Sequence, residues 1–194
     1  MNELWIATSN KGKLVEFKTL LNNSNFLFKS PAELKTYYSP EETGKTFEEN
    51  ARIKAKSLNS VKSDCWVIGE DSGLVVDGLE GYPGIFSARY AGDNAGDSEN
   101  VAKVLKMLGL RSPQNRKAKM VSCIVAVSPS GEEYVCEGTV EGEISKKVSG
   151  SEGFGYDVCF IPEGESKTFA ELGMAFKNKT SHRARAIFKL KEVL

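Results

Sequence analysis

Short apolar runs alternate along this chain with segments whose apolar residues recur at helical spacing, and that alternation constrains the fold more than any other feature. Leu4-Trp5-Ile6-Ala7 reads as a buried strand, Thr8 to Lys13 as a polar turn, and Leu14, Phe17, Leu20 and Leu21 as one face of a helix. Phe26 to Phe28 predicts a second strand. Residues 31–46 read as loop, punctuated by Tyr37-Tyr38-Ser39-Pro40 and Thr43-Gly44. Thr46-x-x-Glu49 is a capping-box pattern, and Phe47, Ala51, Ala55 and Leu58 follow on one helix face. Strands over Trp66 to Ile68 and Leu74 to Val76 are expected around an acidic turn. A long glycine-rich loop is expected over Gly78 to Gly96, and a helix through Val101, Val104, Leu105 and Leu108 ending at Gly109. Ala118 to Val127 and Glu132 to Val140 flank Pro129-Ser130-Gly131 as a hairpin. Val158 to Ile161 predicts another strand and Ser181 to Leu194 a closing helix. Crossovers together with a hairpin predict an α/β fold with a mixed sheet and flanking helices.

The 194 residues suit a single domain over 1–194, with room for two lobes. Lysine plus arginine and aspartate plus glutamate both number 26, so no overall basic field favours a nucleic-acid polymer. Cys65, Cys123, Cys136 and Cys159 are widely spaced with no C-x-x-C, which argues against a disulfide framework or a zinc site and suits a reducing cytoplasm. Leu4 to Ala7 is too short for a secretory core, and no run reaches membrane-spanning length.

The acidic turn is Gly69-Glu70-Asp71-Ser72-Gly73. Adjacent carboxylates at a buried strand end repel, and a sequence tolerates them where a cation sits; the plainer alternative is a solvated acidic turn. Glu41 and Glu42 read by themselves as solvated charges, yet either could join Asp71 in a magnesium site, since magnesium favours one or two carboxylates plus phosphate oxygens. Thr8-Ser9-Asn10-Lys11-Gly12-Lys13 leads into a helix, where free amides and the dipole favour an anion; Asn10 serving only as a cap is the competing reading. Lys177, Lys179, Arg183 and Arg185 crowd around His182, the only histidine, as a local cationic patch or a solvated basic face. Glycines around Phe154 in Gly153-Phe154-Gly155-Tyr156-Asp157 would let a purine stack, or else mark a turn with a core aromatic.

Taken in order, these elements resemble the Ham1-like family of inosine triphosphate pyrophosphatases (dITP/XTP pyrophosphatases). The resemblance extends through Pro83-Gly84-Ile85-Phe86-Ser87-Ala88-Arg89-Tyr90 and spans nearly the whole chain. It implies a cytoplasmic, magnesium-dependent enzyme with two lobes around a nucleotide cleft, usually a homodimer, that hydrolyses ITP, dITP and XTP to the monophosphate and pyrophosphate. Residue by residue, it implies Thr8 to Lys13 on the phosphates and Asp71 as proton acceptor and metal-linked carboxylate. Ser72 would lie beside the substrate, Phe154, Gly155, Tyr156 and Asp157 at the base, and Lys177, His182 and Arg183 on the rest of the nucleotide. Glu70, expected with Glu41 or Glu42 to assist Asp71 in holding the metal, stands where bacterial relatives often carry a second Asp, and Ser9 replaces a frequent Gly. A phosphatase releasing orthophosphate, a nucleotide sensor without turnover, and a plain interaction module are the competing classes.

Overall fold

The structure, a computed structural model, describes residues 2–22 and 25–194. Among the described residues a six-stranded sheet contains β1 (Asn2–Ala7), β2 (Phe26–Lys29), β3 (Trp66–Val76), β4 (Lys117–Val127), β5 (Glu133–Ile144) and β6 (Phe160–Pro162), in the order β2-β1-β3-β4-β5-β6. β1 pairs in parallel with β2 and β3, and β5 pairs antiparallel with β6, so the sheet is mixed as expected. The helices are α1 (Lys11–Leu20), α2 (Phe47–Asn59), α3 (Asp97–Arg111), α4 (Phe169–Leu172), α5 (Met174–Thr180) and α6 (His182–Leu190). The chain divides into two compact units, one of Met1–Asp71, Ser122–Gly138 and Arg183–Leu194, the other of Ser72–Val121 and Thr139–His182.

In the first unit the strands carry apolar residues on both faces. Leu4, Ile6, Ile68, Ile124 and Ala126 pack with Phe17 and Leu21 of the α1 region and with Ala186, Ile187 and Leu190 of α6. The alternate residues Trp5, Ala7 and Val67 pack with Leu58 of α2, and Val125 and Val127 with Ala51 and Ala55 of the same helix. The period of two along a strand therefore assigns α1 and α6 to one face and α2 to the other. Each fully buried leucine or phenylalanine contributes about 1.5–3 kcal/mol. In the second unit, Leu74 and Val76 of β3 cluster with Val101, Val104 and Leu108 of α3, with Val140 and Ile144 of β5, and with Phe160 and Phe169.

Several expectations need correction. The acidic segment is not a turn: β3 runs unbroken for 11 residues through Gly69 to Gly73. Gly69 is required by packing and not by bending, since a Cβ there would lie 2.1 Å from the Ala51 carbonyl oxygen and 2.5 Å from the Ala55 nitrogen in α2. Residues 78–96 are more ordered than a simple loop, carrying 3-10 turns at Asp77–Leu79 and Gly84–Arg89. α3 passes through Gly109 and stops at Arg111, because Ser112 precedes Pro113 and is pushed out of the helical region. The strand expected from Val158 begins at Phe160, and the closing helix expected over Ser181 to Leu194 runs as α6 from His182 to Leu190, with extended Ser181 (ψ 161°) separating it from α5. Thr46 caps α2 by accepting from the Glu49 amide, but the Glu49 carboxylate reaches the Lys45 amide.

Candidate active site

The unbroken course of β3 decides what Glu70 and Asp71 do. Successive strand residues point to opposite faces, so the two carboxylates part. Glu70, on the face of α1 and α6, accepts from Arg183 Nε at 3.1 Å and Nη2 at 3.0 Å, and from Ser122 Oγ at 2.9 Å. Its other oxygen lies 2.8 Å from Lys13 Nζ. Burial pushes the Glu70 carboxyl up, but the charges of Arg183 and Lys13 outweigh it and hold the group well below the usual range. Arg183 is 1% exposed, and its Nη1 also donates to the Glu16 carboxylate in α1. Burial lowers the Arg183 pKa, and the Glu70 and Glu16 charges more than restore it.

Asp71 faces α2. Its Oδ2 accepts from Asn50 Nδ2 at 3.1 Å and its Oδ1 from Lys54 Nζ at 3.2 Å. Lys54 also lies 2.8 Å from Glu42 Oε1 and donates to the Glu70 carbonyl at 3.1 Å. The Lys54 ammonium thus stands between two carboxylates, Glu42 and Asp71. Burial raises the Asp71 pKa, partly opposed by Lys54 and Lys13. Burial lowers that of Lys54, but Asp71 and Glu42 bring it out above its ordinary value. The side chain of Asn50 is fixed in turn, its Oδ1 accepting the Gly44 amide at 2.8 Å.

The same unit holds the phosphate-loop candidate. The Asn10 side chain accepts from the Lys13 amide at 3.0 Å, and Thr8 Oγ1 accepts from the Asn10 amide at 3.1 Å. Asn10 is therefore a helix cap, which leaves the other first-turn amides of α1 without intrahelical partners. Ser9, Asn10 and Lys11 are exposed; Thr8, Gly12 and Lys13 are half-buried. Glu41 is exposed, whereas Glu42 is half-buried and paired with Lys54.

The second unit holds the base-binding candidate. A 3-10 turn, Gly155–Val158, follows Phe154. Asp157, 2% exposed, accepts from the Phe154 amide at 2.9 Å and from Lys177 Nζ at 2.5 Å. The same ammonium lies 4.4 Å from the centre of the Phe154 ring, a cation–π contact. Gly153 adopts φ +82°, and a Cβ there would stand 2.1 Å from Asp157 Oδ2. Gly155, at φ +59°, donates its amide to Asp97 Oδ2 at 2.8 Å, and Tyr156 donates its hydroxyl to the Ser87 carbonyl at 2.9 Å. Ser72 is half-buried and His182 is buried at the start of α6.

Sequence reasoning missed Glu16, Asn50, Lys54 and Asp97. Asn50 and Lys54 were open to discovery, since residues four apart share a helix face and Asn50 interrupts the buried stripe of α2. Glu16 and Asp97 carry no such signal; their partners, Arg183 and Gly155, are remote in sequence.

Hard oxygen donors suit magnesium better than zinc. Asp71 and Glu42 supply two carboxylates that converge on one cation, Lys54 Nζ, and are the residues that could serve as oxygen ligands to a hard divalent cation. Glu70 faces the other way and is committed to Arg183, Ser122 and Lys13. Among the described residues no group of three or more His, Cys, Asp or Glu side chains forms a ready metal cage, and no helix is long and apolar enough to cross a membrane.

A sequence model of the Ham1 family matches residues 4–193. The dITP/XTP pyrophosphatase of Bdellovibrio bacteriovorus is 54% identical over 95% of this chain and 94% of its own length. That of Bacillus subtilis is 46% identical over 100% of this chain and 98% of its own. A solved HAM1 protein from Coxiella burnetii superposes with a TM-score of 0.89 at 37% identity, covering 100% of this chain and 98% of that one.

Proposed function

The chain belongs to the Ham1 family, and on that premise we propose that it hydrolyses non-canonical purine nucleoside triphosphates, ITP, dITP and XTP, to the monophosphate and pyrophosphate. The observation that carries the chemistry is the Asp71 carboxylate. It is buried and held at one oxygen by Asn50 and at the other by Lys54. Two fixed hydrogen bonds set the orientation of the carboxylate toward an attacking water. In the proposed reaction a water oxygen bonds to the α-phosphorus and the bridging anhydride bond breaks. The electron pair leaves with pyrophosphate, and the proton of the water passes to Asp71 Oδ.

The amides at the start of α1 and the Lys13 ammonium receive the phosphates, and Glu70, locked by Arg183 and Glu16, aims Lys13. In this reading Arg183 positions Glu70, while Ser72, Lys177 and His182 complete the nucleotide contacts. Asp71 and Glu42 would hold a magnesium ion, which would supply positive charge against the phosphates. Phe154 stacks on the purine, its ring oriented by Lys177 and Asp157. A donor at the C6 carbonyl favours ITP and XTP over ATP, because adenine's amino group would leave a donor unpaired, and guanine, which shares that carbonyl, is excluded by a separate contact at its 2-amino group. The 194 residues act as one catalytic domain in the cytoplasm, as a homodimer; Tyr82 and Phe86, exposed aromatics four residues apart in sequence, support a self-association surface.

The test is incubation of purified protein with magnesium and ITP, dITP, XTP, ATP or GTP, with products resolved chromatographically. The expected products from ITP are IMP and pyrophosphate, with ATP and GTP turned over far more slowly. IDP with orthophosphate, or tight nucleotide binding with no hydrolysis, would replace this reading by the phosphatase or the sensor.

A further inference from the structure

Phe154 is bracketed by two carboxylates. Its own amide goes to Asp157, inside the same turn, and the next amide, of Gly155, goes to Asp97 at the start of α3. We propose that Asp97 is a positioning residue for the base-stacking ring, acting through the Gly155 amide; this rests on the reading of Phe154 as the stacking platform.

Three features carry the inference. Gly155 holds φ +59°, in the left-handed region, and Asp97 receives the N–H of the peptide between Phe154 and Gly155, which fixes the orientation of that peptide plane. That orientation in turn sets where the Phe154 side chain leaves the backbone. The acceptor is itself on a rigid support, being the first residue of a 15-residue helix, where a carboxylate is favoured by the helix dipole. The same end of α3 grips the neighbouring segment: buried Asn100 accepts from the Ala91 amide at 2.8 Å and donates to the Ala88 carbonyl at 3.1 Å. Ser87, in that segment, receives the Tyr156 hydroxyl, so the 154–157 turn is tied at two points to groups that α3 supplies or steadies.

The experiment uses Asp97→Ala and Asp97→Asn in the full-length protein. Asparagine keeps an acceptor oxygen and loses the charge; alanine loses both. In Asp97→Ala the KM for ITP should rise about tenfold while kcat stays within about twofold, the loss of one charge-assisted hydrogen bond expressed in binding. Asp97→Asn should recover most of that rise. In a Phe154→Leu background the alanine substitution should add nothing further, because the ring it positions is gone. Amide hydrogen exchange on the free protein reads the same bond without substrate: Gly155 protection should fall about tenfold in Asp97→Ala and persist in Asp97→Asn. Equal KM defects in both variants, an undiminished effect in the Phe154→Leu background, or unchanged Gly155 protection in Asp97→Ala would each overturn the proposal. Absence of ITP hydrolysis by the wild-type protein would instead remove the stacking function, leaving the exchange result to decide whether Asp97 holds the turn.

Discussion

Replacing Arg183 by methionine tests the buried charge network most severely. Arg183 is enclosed, with Glu16 and Glu70 on its guanidinium and Lys13 on the far oxygen of Glu70. Methionine fills much of the volume but takes the guanidinium away from both Glu16 and Glu70, two buried carboxylates. Breaking a buried ion pair by removing one partner costs about 3–5 kcal/mol. For a chain of this size that corresponds to a fall in Tm of roughly 6–20 °C. The double variant Glu16→Met, Arg183→Met removes both members of the inner pair, and replacing a whole pair with apolar residues is close to neutral. It should therefore recover at least half of the lost stability. Urea denaturation followed by circular dichroism gives both numbers. A loss below about 1 kcal/mol in the single variant, or no recovery in the double, refutes the view that these charges fasten α1 and α6 to β3.

Two other outcomes follow from the packing. Gly69→Ala drives a Cβ into the backbone of α2 at Ala51 and Ala55 and should destabilise the protein by about 1–3 kcal/mol or more in the same urea assay; wild-type stability would mean that α2 does not pack this closely. Burial pushes the Cys123 and Cys159 thiols up to about 12, and Cys136 is also buried and raised. Iodoacetamide at pH 8 should accordingly label the native protein only at half-buried Cys65, with all four thiols reacting in guanidinium; rapid native labelling of Cys123 or Cys159 would contradict the burial described.

The outline of the fold was legible because its signals are local. Helical spacing at Leu14 and Phe17 marks α1, Thr46 and Glu49 mark the start of α2, and Pro129-Ser130-Gly131 marks the β4–β5 turn. Gly69 to Gly73 misled because glycine, serine and paired acids are turn residues by local preference. What overrides that preference is distant in sequence: Lys54 for Asp71, Arg183 for Glu70, and the α2 backbone for Gly69. The same distance explains the site. Asp71, Glu42 and Lys13 could be named from residue type and spacing, but the separation of Glu70 from Asp71 required the strand. The Lys54 bridge and the Asp97 contact to Gly155 required the folded chain. Gly109 suggests a helix end because glycine costs about 1 kcal/mol inside a helix, a cost that α3 bears until Pro113 imposes the stop.

The most direct measurement of the central claim is turnover of ITP by Asp71→Asn beside wild type, with nucleotide affinity measured in parallel by calorimetry. Asparagine keeps the size of the side chain and an oxygen for Lys54 or Asn50, but it takes up a proton far less readily. In Asp71→Asn kcat should fall by about 10²–10⁴-fold with affinity changed only a few-fold, and IMP plus pyrophosphate should remain the products. Turnover within a few-fold of wild type would contradict the claim.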